Sequence, residues 1–116
     1  MSSQDPETRY ELLIEQAVAR EELWSLLAPS GLIRFRLQDG TLALPLWPGQ
    51  EEAALEATDA SEQPYRIPLE ELLERLLPEL VRQGCLVAAF PLAGAARIVH
   101  AGDVSTRLLQ EWEEEP

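Results

Sequence analysis

The chain has 116 residues, 46% of them apolar and 26% charged, enough to bury roughly 65% of its unfolded surface in one core without metals or disulfides. Nine arginines, no lysine and twenty-one acidic residues give a net charge of −12, spread along the whole sequence. That balance argues against duplex nucleic acid and anionic membranes as partners, because both are bound through a basic face.

Only one cysteine is present, Cys85, so no intrachain disulfide can form and a reducing compartment fits. The N-terminal "MSSQDPETRYELL" lacks a basic segment followed by an apolar one, and no later apolar run approaches about 18 residues. A soluble cytoplasmic protein is therefore expected. It should be a single α+β domain over 1–116, with a short disordered start (1–4) and a frayed acidic end (113–116).

In chain order, Asp5-Pro6-Glu7 opens a helix: the carboxylate caps free amides, proline suits the first position and glutamate favours the positive end of the dipole. Tyr10, Leu13, Ile14, Ala17 and Val18 recur at helical spacing, and Glu21 would interrupt the stripe, which predicts a break near Arg20. "EELWSLL" then reads as a separate short turn of helix closed by Pro29-Ser30-Gly31.

Residues 32–37 alternate, with Ile33, Phe35 and Leu37 on one face and Arg34 and Arg36 on the other. The Asp39-Gly40 turn signal leads to an answering strand, Thr41 to Leu46, so the two form a hairpin. A helix is predicted from Pro48 to Ala57, with Glu51 and Glu52 in its first turn. Residues 58–64 read as a polar loop, and Tyr65 to Ile67 as extended at most, because Pro68 disfavours helical backbone before it.

From Pro68 the residues Leu69, Leu72, Leu73, Leu76, Leu77 and Leu80 make a broad apolar helix face, with Glu71 and Arg75 at pairing distance on the other side. Pro78 predicts a kink or a fresh turn, and Gly84 a stop. "CLVAAF", 85–90, is a short continuous apolar run that suits a strand covered on both faces, and "ARIVHA" returns as its partner. Asp103 is placed to cap a last helix whose stripe is Val104, Leu108 and Trp112. The resulting fold class is α+β: a mainly antiparallel four-stranded sheet from two hairpins, with about four helices packed against it.

The segments "LPLWPGQEEAALEA" and "IPLEELLERLLPELVRQGCLVAAFPLAG", with "ELWSLL" upstream, resemble the bacterial family called domain of unknown function 2750 over nearly the whole chain. The shared features are Leu-Pro-x-Trp-Pro at 44–48, a proline opening a leucine-rich helix with a second proline at 78, and Phe90-Pro91. The resemblance implies a compact bacterial α+β domain and no assigned activity. In layout the chain is also similar, more faintly, to the N-terminal domain of SseB-like proteins, with Phe90 standing where those carry Asn. Fold-level analogy does not carry function.

The chemistry on offer is sparse. His100 is the only histidine, so with Cys85 it supplies at most two soft or nitrogen ligands, and no metal site or cofactor is expected. A Cys85/His100 nucleophile pair would need the two strands to be neighbours, and Cys85 opens an apolar strand where a free cysteine behaves as a small buried hydrophobe. Glycine-rich phosphate loops, nucleophile elbows and zinc-helix motifs are all missing from the sequence. The adjacent glutamate pairs 21/22, 51/52 and 70/71 do not point the same way on a helix, so they read as solvated faces.

One candidate binding corner remains: Trp47, Pro48, Tyr65, Arg66 and Phe90, with Arg34 and Arg36. The three arginines either balance nearby glutamates or form a cationic spot for a carboxylate. Trp47 either packs the hairpin against the leucine-rich helix, the ordinary role of a large aromatic, or lines a pocket with Tyr65 and Phe90. Two functions follow. The first is a non-enzymatic protein-interaction or adaptor module, monomeric or weakly dimeric; a basic partner would be steered by the −12 charge. The second is a small-ligand or enzymatic domain using the corner.

Overall fold

The computed structural model describes residues 5–114. Helix α1, Pro6–Arg20, starts as its sequence dictates, the Asp5 carboxylate accepting from the Thr8 amide at 2.8 Å with Pro6 in the first turn. It ends at Glu21, a left-handed residue with φ of 58°. The rest of the chain runs β1 (Glu22–Ala28), β2 (Gly31–Leu32), β3 (Phe35–Arg36), β4 (Leu42–Leu46), α2 (Gln50–Leu55), β5 (Gln63–Pro68), α3 (Leu69–Glu71), a π turn (Leu72–Leu76), α4 (Leu77–Gln83), β6 (Leu86–Leu92), β7 (Ala95–Val99) and α5 (Ala101–Glu114).

The fold is α+β, but it has two sheets where one was expected. A three-stranded antiparallel sheet has the order β2-β1-β5, and a four-stranded sheet the order β3-β4-β6-β7. The second sheet contains both expected hairpins, β3–β4 and β6–β7, yet they join through a parallel pairing of β4 with β6, Ala43 opposite Leu86 through Leu46 opposite Ala89.

Three local expectations are corrected. "ELWSLLA" is strand β1, the middle of the smaller sheet, and not a helical turn. Its leucines favour helix in isolation, and pairing on both sides overrides that propensity. Residues 63–68 form a full strand, because β5 lies at a sheet edge, where Pro64 and Pro68 are tolerated without amide hydrogens. The expected strand 32–37 is divided: Gly31–Leu32 joins the small sheet and Phe35–Arg36 the large one. Phe35, expected on the core face, is half-exposed.

Smaller differences lie at element ends. Helix α2 is shorter than 48–57. Asp103 sits in the first turn of α5 and not at its cap; the carbonyl of His100 takes the Asp103 and Val104 amides at 3.0 and 3.1 Å. Gly84 stops α4 in the left-handed region, φ 69°, as expected of a helix-ending glycine. The expected disorder at 1–4 lies outside the described residues, as do positions 115–116 of the acidic end.

Strand β6 runs past Phe90 to Leu92 over a bulge that shifts register between Ala89 and Leu92. Phe90 has φ of 50°, a strained value for a bulky residue. Pro91 cannot donate to the ladder, and the carbonyls freed here are met by side chains. Arg9, buried on α1, donates from Nε to the Phe90 carbonyl at 3.0 Å and from Nη2 to the Ala95 carbonyl at 2.7 Å. The Trp47 indole donates to the Pro91 carbonyl at 2.9 Å.

One buried cluster draws on all five helices and both sheets, with Trp47, Leu13, Ile14, Leu44, Leu72 and Leu77 among its members. The sheets themselves are linked by an antiparallel bridge between Trp24 and Trp47. Beside it, the buried Ser25 hydroxyl donates to the Pro45 carbonyl at 2.7 Å.

Candidate functional site

In an α-helix the Pro78 ring would collide with the carbonyl of Glu74, four residues back. The preceding turn is wound wider instead, the Leu77 amide donating to the Leu72 carbonyl five residues earlier. Such π turns occur often at functional sites. Here it sends Leu72 and Leu77 fully into the core and leaves Leu73 and Leu76 only partly covered.

A groove lies on each flank of this helix. Strand β5 alternates between them, so Tyr65 and Ile67 line the first while Arg66 and Pro68 line the second. The first groove, of about 630 Å³, has an apolar floor of Leu27, Leu32, Tyr65, Ile67 and Leu76. The second, of about 570 Å³, is floored by Pro68, Leu69, Leu73, Leu109 and Trp112. Glu74 borders both.

The second groove owes its wall to α5. The expected stripe of Val104, Leu108 and Trp112 outruns the core: the first two are fully buried, but Trp112 is 48% exposed and its neighbour Leu109 49%. Both line the same groove, so they form a shared exposed apolar patch and not a scattered single residue.

Charge around the grooves is uneven. Among the described residues four ion pairs form: Arg66 with Glu22, Arg82 with Glu79, Arg97 with Glu7 and Arg107 with Glu11. The expected pair of Glu71 and Arg75 is not among them; the turn between is no longer α-helical. Glu21, Glu70, Glu71 and Glu74, which rim the grooves, have no ion pair among the described residues. Glu22, by contrast, is held below the usual carboxylate range, first by the Arg66 guanidinium and then by the Trp24 indole, which donates to it at 2.9 Å.

A family model described as "Protein of unknown function (DUF2750)" matches residues 10–108. The chain belongs to the DUF2750 family. No curated protein and no solved structure matches it.

In this DUF2750 chain the candidate corner is spread over several places. Trp47 and Phe90 lie in the core cluster, and Trp47 is fully buried. Pro48 is buried too, its carbonyl accepting from Arg20 Nη1 at 3.0 Å. Tyr65 and Arg66 face the two different grooves. Arg34 lines a third cavity with Asp39, Gly84 and Cys85, and Arg36 reaches the Gly40 carbonyl at 3.5 Å.

Cys85 and His100 do line one small cavity, beside Gly84 and Ala101. Burial pushes the Cys85 thiol up, with Arg34 opposing more weakly, and that direction disfavours a thiolate nucleophile. Among the described residues of this DUF2750 member, no group of three or more histidine, cysteine or acidic side chains is arranged to hold a metal ion. No helix among them is long and apolar enough to cross a membrane.

Two features of the site were missed in the sequence. Pro78 signalled a disturbed turn but not that the turn would divide two grooves. Arg9, whose role is structural, stands four residues before Leu13 and eight before Ala17, in phase with the buried stripe of α1; an arginine in that phase is the signal that could have found it.

Proposed function

We propose that this chain is a non-enzymatic protein-interaction module of the bacterial cytoplasm that docks a partner in the groove under Trp112. The observation that carries the reading is the half-exposed pair Leu109 and Trp112 beside Leu73. Tryptophan in an apolar recess is the residue type that dominates binding energy at protein interfaces. The net charge of −12 weighs against self-association and leaves the protein a monomer or a weak dimer. The test compares wild type with Trp112→Ala in capture from host lysate, with thermal melts as a folding control. A partner held by wild type and lost by the folded variant supports the reading; the same partners on both would sink it.

A second reading, small-ligand binding, is favoured by the groove at Tyr65. Its volume of about 630 Å³ falls in the range of small-molecule sites, and Arg75 on its rim has no ion pair among the described residues. Of the corner residues Trp47, Tyr65 and Phe90, only Tyr65 borders it. A metabolite screen by thermal shift, repeated on Tyr65→Ala, separates this reading from the first, since a specific ligand raises the melting temperature of wild type alone.

A further inference from the structure

We infer that the partner is a protein segment that carries a lysine or arginine between two apolar anchors, seated across the π turn with one anchor in each groove. This rests on the docking reading above and adds the chemistry of the occupant.

Three observations lead to it. The two apolar floors, one at Leu73 and Trp112 and the other at Leu76 and Tyr65, lie on opposite flanks of one helix, and Glu74 borders both. A segment that fills one groove and continues into the other must therefore cross Glu74. The crossing is acidic: Glu70 and Glu71 stand on the same helix one turn earlier, and neither they nor Glu74 has an ion pair among the described residues.

The contrast with the paired carboxylates gives the charge at the crossing its meaning. Glu7, Glu11, Glu22 and Glu79 each have an arginine of this chain against them. Glu79 and its partner Arg82 line the far part of the first groove together with Arg75, but at the crossing itself Glu70, Glu71 and Glu74 have no ion pair among the described residues, on a molecule whose net charge of −12 steers cations toward it. A second copy of this chain would bring acid against acid. An apolar segment without a cation would cover Glu74 and leave its charge desolvated and unpaired, which is costly.

Selection of a displayed library of short random peptides on the wild-type protein tests this, with a parallel selection on Trp112→Ala as the counter-screen. Recovered peptides specific to wild type are then synthesised and titrated by fluorescence anisotropy at low and moderate salt. Expected are peptides with Lys or Arg between apolar residues, weakened about tenfold or more by Trp112→Ala and about three- to tenfold by Glu70→Gln/Glu74→Gln. Tyr65→Ala should weaken them as well, because the second anchor loses its wall. All substituted residues are exposed, and unchanged melting midpoints confirm that the variants fold.

The failures differ. Peptides that depend on Trp112 but carry no enrichment of basic residues, or that ignore the loss of Glu70 and Glu74, overturn the inference and leave the docking reading standing. Dependence on Trp112 with indifference to Tyr65→Ala overturns the two-groove path. Peptides indifferent to Trp112, or no recovered peptides at all, overturn both.

Discussion

Trp24 and Trp47 exchange both backbone hydrogen bonds, the Trp24 amide reaching the Trp47 carbonyl at 2.8 Å and the Trp47 amide the Trp24 carbonyl at 2.7 Å. This pair of bonds joins the end of the four-stranded sheet to the middle of the three-stranded one. The Trp47 side chain then spans the core and caps the bulge at Pro91.

Trp47→Ala should therefore cost about 3–5 kcal/mol through the cavity it leaves. Trp47→Phe keeps most of the ring but strands the Pro91 carbonyl, at a cost of about 1–3 kcal/mol. Urea unfolding with unchanged m-values is the measurement. A loss below about 1 kcal/mol for the alanine variant would show that the indole is not holding the core.

Arg9 serves the same bulge from α1. Arg9→Met fills similar space but leaves the Phe90 and Ala95 carbonyls without their donors, about 1–3 kcal/mol for each acceptor. Arg9→Lys should recover only part of this, since an ammonium lacks the planar fork that reaches two carbonyls at once. Chemical denaturation of the two variants decides it; a methionine variant within about 0.5 kcal/mol of wild type would refute the role.

Secondary structure was legible where local chemistry decides it. Asp5 and Pro6 mark a helix start and Gly84 a stop, and both appear. Strand β1 was not legible: Leu23, Leu26 and Leu27 are good helix formers, and only pairing with β5, about forty residues away in sequence, makes them extended. For the candidate site, Trp112 was named as part of a stripe, but nothing local shows that the core ends at Leu108 and leaves the indole uncovered. The parallel join of β4 and β6 was hidden for the same reason as β1.

Stability at acid pH should carry the mark of Glu22. Its folded-state pKa is depressed, so its contribution is present above the ordinary glutamate value of 4.5 and is lost as pH falls below that through the lower folded value. Asp5, Asp39, Asp59 and Glu79 shift in the same direction and share the acid limb. Glu22→Gln should flatten only part of it, and Arg66→Met should flatten the same part. A double-mutant cycle read from unfolding midpoints across that pH range checks this, and full additivity of the two would contradict the pairing.

Cys85 should be inert in the folded protein. It is 4% exposed, and burial holds the thiol protonated. Alkylation by iodoacetamide at neutral pH should be many-fold slower than in urea, tracking the population of open chain. Rapid stoichiometric labelling of native protein would revive the Cys85/His100 pair as a reactive site.

The two sheets also constrain which pieces of the chain can exist alone. Strand β1 pairs with β5, and β4 pairs with β6, so the pairings interleave along the sequence: the second opens before the first has closed. A cut in the exposed loop at residues 58–61 separates both couples at once, leaving one fragment with β1 and β4 and the other with β5 and β6. Neither fragment holds a complete copy of either sheet. Each therefore needs the other as a template, and the loop offers a place to divide the protein into halves that recover structure only when mixed.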